Sequence, residues 1–176
     1  MRALIVYESM FGNTRDVAEA IAKGLGEHIR MHDIVEVGVA PAKPPDDVDL
    51  LVVGGPTHAM GLTRPKTRAD AADKTTEPLV SRSDGVREWL AALPRTDRGC
   101  GAAAFDTRID ARWMPGSAAH GIAKRLRRKG YRLVAPAQSY FVDDMTGPLS
   151  DGELERARDW GRRLGHDLAA AAPSGA

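Results

Sequence analysis

A chain of 176 residues is the size of one domain built round one buried core. Its 43% hydrophobic and 28% charged residues exclude a disordered chain, and no apolar run is long enough to span a bilayer. The formal charge of +1 provides no global field for nucleic acid or anionic lipid, so any electrostatic partner must meet a local patch.

The apolar stretch at the N-terminus is too short for a signal peptide. Cys100, the single cysteine, cannot form an internal disulfide, and both features predict a cytoplasmic protein with a buried thiol. Within Arg2 to Tyr7 the continuous run Ala3-Leu4-Ile5-Val6 reads as a strand buried on both faces of a parallel sheet. Val17, Ala18, Ile21, Ala22 and Leu25 then recur at helical spacing, with Arg15, Asp16, Glu19 and Lys23 opposite. Ile34 to Val37 is the second predicted strand, and the Pro41 to Pro45 stretch breaks regular structure.

Asp49 to Gly55 is the clearest buried strand, and Met60 to Arg82 follows as a long excursion without periodicity. A helix from near Ser83 to Leu93 stops at Pro94, and a strand at Gly101 to Phe105 comes next. The pattern predicts a helix over Ser117 to Lys129, ended by Gly130, and a strand from Tyr131 to Pro136. Ser150 and Glu153 have capping-box spacing before a last helix carrying Leu154, Ala157, Trp160 and Leu164. Strands alternating with helices predict an α/β fold: a three-layer α-β-α sandwich round a doubly wound, five-stranded parallel sheet. Residues 1–168 form its single domain and 169–176 an unstructured tail.

The loop Ser9-Met10-Phe11-Gly12-Asn13-Thr14 joins the first strand to the first helix, where free N–H groups and the positive end of the helix dipole converge. Ser9, Asn13 and Thr14 add short polar side chains, and Gly12 permits a tight turn. Without a lysine the loop is not a Walker-type site, and it is not Gly-x-Gly-x-x-Gly. A neutral set of hydroxyls and amides suits one terminal phosphate; the plain alternative is a strand-to-helix turn capped by Asn13 or Thr14. The chain has neither clustered Cys or His at metal spacing nor a Gly-x-Ser-x-Gly elbow, so no metal and no catalytic residue is expected.

Ser9, Gly12, Asn13 and Thr14 match the phosphate loop of the flavodoxin family, Thr/Ser-x-Thr-Gly-Asn-Thr, which the chain resembles over nearly its whole length. Phe11 departs from it by replacing a hydroxyl residue. The resemblance implies strand order 2-1-3-4-5 and flavin mononucleotide (FMN) at the switch point between the first and third strands. It also implies that Pro56, Thr57, His58, Ala59, Met60 and Gly61, after the third strand, meet the isoalloxazine edge. Phe105, Asp106, Thr107 and Arg108, after the fourth, are expected to approach the ribityl chain or ring. Trp113 is either the aromatic that stacks on the flavin or a packing anchor. His58 is either a shield and proton-exchanging group or polar surface.

Three functions follow. The first is electron transfer to a redox partner protein or small acceptor, although carrier flavodoxins are strongly acidic and this chain is nearly neutral. The second is an FMN-dependent NAD(P)H:quinone-type oxidoreductase, with Arg64, Lys66 and Arg68 of the excursion meeting an anionic cosubstrate. The third is a cofactor-free binding module. The basic run Lys124, Arg125, Arg127, Arg128, Lys129 reads as cations placed by a helix dipole. No nucleic-acid partner is expected, and the oligomeric state is left open.

Overall fold

The continuous apolar runs form β1 (Arg2–Tyr7), β3 (Leu50–His58) and β5 (Gly101–Ile109), the three central strands. The computed structural model describes residues 1–58, 61–76, 78–110 and 116–171. Within them β2 (Met31–Glu36) flanks β1, and β6 (Arg132–Leu133) and β7 (Gln138–Val142) share the far side of β5. These strands run parallel in the order β2-β1-β3-β5-β6, with β7 continuing the line of β6. The expected 2-1-3-4-5 arrangement is therefore present, with its fifth place filled by two short strands.

Alternation along each strand divides the core in two. Ala3, Ile5, Leu50, Val52, Ala103 and Phe105 pack under α1 (Asn13–Leu25) and α5 (Glu153–Ala171), with Val17, Ile21, Ala157 and Trp160 facing them. Leu4, Val6, Leu51, Val53, Ala102 and Ala104 pack under α3 (Val86–Ala92) and α4 (Ala118–Arg128), with Trp89, Leu90, Ile122 and Leu126 facing them. Each buried Val, Leu, Ile or Phe among them contributes about 1.5–3 kcal/mol, so the strands at the centre carry much of the stability. The two helices on this face come close: a Cβ on Gly161 of α5 would lie 2.1 Å from the Ile21 carbonyl oxygen of α1. Backbone-to-backbone contact of this kind fixes the spacing of α1 and α5.

Several elements differ from the sequence reading. β2 starts at Met31, because register with β1 extends it, and Val37 instead opens a short 3-10 turn. β5 runs on to Ile109, so Asp106, Thr107 and Arg108 are strand residues held by pairing to β3 and β7. The excursion is not irregular: β4 (Gly61–Leu62) folds back antiparallel on β3, and α2 (Pro65–Ala72) follows. Three steps along β5 from Ala102 to Phe105 are matched by five from Leu133 to Gln138, so the fifth strand bulges where Pro136 lacks an N–H.

No capping box forms at α5. Ser150 donates instead to Asp143 (2.6 Å), and Glu153 accepts from the Phe141 N–H (2.7 Å), tying the helix to β7. Leu154 is exposed, and the helix continues through Ala171, with the rest of the expected tail outside the described residues.

Candidate functional site

The site forms where β1, β3 and β5 end. Glu8 N–H donates to the Gly54 carbonyl (3.0 Å), and the chain then leaves the sheet into the loop. The Ser9 hydroxyl accepts from the Gly12 N–H (3.1 Å), closing a turn that puts Gly12 at φ +97°, a conformation strained for any residue with a Cβ. Gly12 is the N-cap of α1, and no side chain caps the helix, so the alternative with Asn13 or Thr14 as cap is overturned. Asn13 instead donates to the Thr146 carbonyl (3.1 Å), and Thr14 shares a 2.7 Å hydrogen bond with Thr107. Two hydroxyls in one hydrogen bond leave one hydrogen uncommitted. Arg15, the nearest cation, is turned onto Asp16 (3.0 Å), so the loop offers an anion N–H groups, hydroxyls and a helix dipole.

The loop is held from behind by residues distant in sequence. Val80 N–H donates to the Met10 carbonyl (3.0 Å) and Ser81 N–H to the Ser9 carbonyl (2.8 Å). The Ser81 hydroxyl accepts from Ser9 N–H (3.0 Å) and donates to Glu36 (2.6 Å). The other Glu36 oxygen accepts from Gly38 N–H (2.8 Å) at the 3-10 turn. No local pattern marks Ser81 or Glu36 for this role.

In front of the loop lies a cavity of about 380 Å³. Ser9, Met10, Phe11, Asn13 and Thr14 form one end; Pro56, Thr57 and His58 with Thr107 and Arg108 form the floor and side. α2 supplies a wall through Thr67, Asp70 and Ala71, and Ile109, Val142 and Met145 complete it. Lys74 just beyond α2 reaches Met145 (Nζ to Sδ, 3.7 Å), so wall and opposite loop touch. The wall was missed because α2 is polar on nearly all sides, with Ala71 its buried residue, and so shows no helical periodicity. Pro65 at the first helical position was the readable signal.

Other predicted residues lie elsewhere. Phe105 is fully buried in the core under α1 and α5 rather than on the cavity. Asp106 faces α4: its Oδ2 accepts from Thr57 Oγ1 (2.7 Å), Ser117 Oγ (2.7 Å) and Ala119 N–H (3.0 Å), so it anchors that helix. Extension of β5 explains both corrections, since strand alternation turns Phe105 and Asp106 to opposite faces of the sheet. Gly61 sits in the hairpin paired with His58. Ala59, Met60 and Trp113 lie outside the described residues. Burial lowers the His58 pKa, opposed by a hydrogen bond to the Thr67 backbone, and this favours the neutral imidazole.

Glu8, just before the loop, is wholly buried. It accepts from Thr63 Oγ1 (2.5 Å) and Val86 N–H (2.8 Å), while Arg68 donates to Thr63 (3.0 Å) and pairs with Glu88 (3.1 Å). This network fastens the β4–α2 wall to β1 and α3. Burial is the main cause pushing the Glu8 carboxyl above its ordinary pKa, with its two donors pulling the other way.

A doubly wound parallel sheet with an uncapped helix N-terminus and an apolar cavity at its switch point defines a phosphate-bearing cofactor protein of the α/β class. The flavodoxin family model matches residues 5–139, and the chain belongs to the flavodoxin family. Among curated protein sequences there is no significant match. Flavodoxin 1 from Bacillus cereus superposes with a TM-score of 0.68 at 19% identity, covering 98% of this chain and 99% of that one. A flavodoxin from the domain Archaea gives 0.64 at 20%, covering 96% and 99%. The flavodiiron core of Flv1 from Synechocystis sp. PCC6803 gives 0.59 at 16%, covering 98% of this chain and 37% of that chain. At these identities the likeness is one of fold.

Family membership implies FMN, and the donor set fits it: a neutral phosphate cradle opens directly onto an apolar slot of a size usual for cofactor sites. No group of three metal-ligating side chains and no helix long and apolar enough to cross a membrane occur among the described residues.

Proposed function

We propose that this protein is an FMN-dependent electron carrier that exchanges electrons with a redox protein or small acceptor. The observation that carries the reading is the continuity of phosphate cradle and apolar cavity at the switch point, from Thr14 through Met10 and Phe11 to Pro56 and His58. FMN, when bound, supplies reversible one- and two-electron transfer. The protein's part is to hold and surround it. The N–H groups at the start of α1, with Ser9, Asn13 and Thr14, hold the phosphate. Met10, Phe11, Pro56, Ala71, Val142 and Met145 exclude water from the ring, and neutral His58 adds no positive charge beside it. Cys100, a half-buried thiol whose pKa burial raises, suits a reducing compartment, and the cytoplasm is the proposed location.

Titration of the apo-protein with FMN, followed by quenching of flavin fluorescence, tests the reading. We expect stoichiometric binding that Thr14→Val weakens about 10–100-fold, the value of one or two lost hydrogen bonds to a charged group. A protein that ignores added FMN would overturn it in favour of a cofactor-free module. The competing reductase reading is favoured by Lys74 at the edge of the cavity, where it could meet an anionic hydride donor. Quinone-dependent oxidation of NAD(P)H at many turnovers per second would establish that reading in place of the carrier.

A further inference from the structure

The hairpin that borders the cavity has a second, outward face. Arg87 of α3 donates to the carbonyls of Leu62 (2.6 Å) and Thr63 (2.7 Å), and Arg64 is the next residue along the chain. Gly121 of α4 is the contact on the other side: a Cβ there would lie 3.6 Å from Leu62 Cδ1 and 3.5 Å from an Arg125 guanidinium nitrogen. Three guanidinium groups from three elements thus gather round β4.

None of Arg64, Arg87 and Arg125 forms an ion pair among the described residues, and the nearby carboxylates are committed elsewhere. Glu88 accepts from Arg68 and Gly85 N–H, and Glu8 from Thr63 and Val86 N–H. Burial first, then the charges of Arg125 and Arg64, push the Arg87 guanidinium below its ordinary pKa, with Glu88 and Glu8 opposing more weakly. The positive face continues down α4, which contains no acidic residue and exposes His120, Lys124, Arg127 and Arg128.

The helix dipole accounts for cations in the last turn of α4, and Lys129 at its C-cap donates to the Ala91 and Leu93 carbonyls. It gives no reason for Arg64 and Arg87, which belong to other elements. At 1.5 Å per residue α4 extends the face by about 16 Å, too long for one phosphate group and comparable with a patch on a protein.

We propose that the cationic face running from Arg64 along α4 to Arg128 docks an acidic redox protein, bringing it against the β3–β4 hairpin beside the cavity. The proposal rests on the carrier reading and gives the partner its charge. The near-neutral net charge conceals it, because acidic residues elsewhere balance the sum.

The test uses the FMN-loaded protein and a reduced, acidic [2Fe–2S] ferredoxin as probe, mixed in stopped flow; each ferredoxin gives up one electron to the flavin. Between about 10 mM and about 150 mM salt, where the screening length falls several-fold, the second-order rate constant is expected to drop about tenfold. Arg64→Glu/Lys124→Glu/Arg128→Glu should lower the low-salt rate by at least about tenfold and reverse its salt dependence. The matching triple Gln variant should fall between the two. Calorimetric titration of apo-protein with the same ferredoxin reads the surface without the flavin, so failure to bind FMN is distinguishable from failure to dock. A rate indifferent to salt, or unchanged in both triple variants, overturns the proposal. So does NADPH binding that the Glu variant abolishes while the ferredoxin rate stays unchanged.

Discussion

The phosphate loop and the β4–α2 wall face each other across one cavity but are stabilised differently. The loop closes its own turn, Ser9 on Gly12 where α1 begins, and is braced from behind by Val80, Ser81 and Glu36. Its position depends on α1, seated against α5 at Gly161. The wall has almost no apolar face of its own and is held by buried polar contacts of long sequence separation, Glu8 to Thr63 and Val86 and Arg68 to Glu88. Helix packing together with that brace supports one side of the cofactor site, and buried hydrogen bonds alone support the other. A change in packing under α1 should therefore be felt through the phosphate, and a change in buried polarity at Glu8 through the ring.

The largest expected effect comes from Gly161→Ala, whose methyl must displace the α1 backbone at Ile21; a loss of about 3 kcal/mol in urea denaturation is expected. Because α1 moves, FMN affinity should fall more than that for riboflavin, which lacks the phosphate. Equal losses for the two ligands would break the comparison. Glu8→Gln comes next: an amide cannot accept from both Thr63 and Val86 as the carboxylate does, so one donor meets an N–H₂ group, at about 1–3 kcal/mol. Here both flavins should weaken alike, since the wall touches the ring end of the cavity.

The smallest effect is on pH dependence. The folded-state pKa of His58 is depressed, so the unfolded chain binds the proton first and stability falls as pH drops below about 6.5. Glu8 has the opposite sign: its raised pKa makes stability increase as pH falls toward the ordinary carboxylate range. Thermal unfolding of His58→Gln should show less loss on mild acidification than the parent protein. An unchanged slope would remove His58 from the cavity's electrostatics.

The same division explains what could be read from the sequence. β1, β3 and the start of β5 announce themselves as apolar runs, α1 and α4 as periodic faces, and the phosphate loop as a short motif between two such elements. Each is a local property. Ser81, Glu36 and Glu8 carry no local signature, because their roles arise from contacts spanning tens of residues. α2 lacked an amphipathic face to detect, and β7 is fixed by pairing with the extended half of β5. A strand that ends at Phe105 leaves Asp106 in a loop facing the cofactor, whereas pairing with β3 keeps it in β5 and turns it toward α4.

The bulge in the fifth strand also decides how this sheet can meet other chains. One edge is split into strands of two and five residues with Pro136 between them, so it presents no long unbroken row of N–H and C=O groups to an incoming strand. The opposite edge, β2, is continuous for six residues and exposes Met31 and Ile34. Strand addition, and aggregation on partial unfolding, is therefore directed to β2, where Asp33, tied back to Arg2, places a charge on the edge.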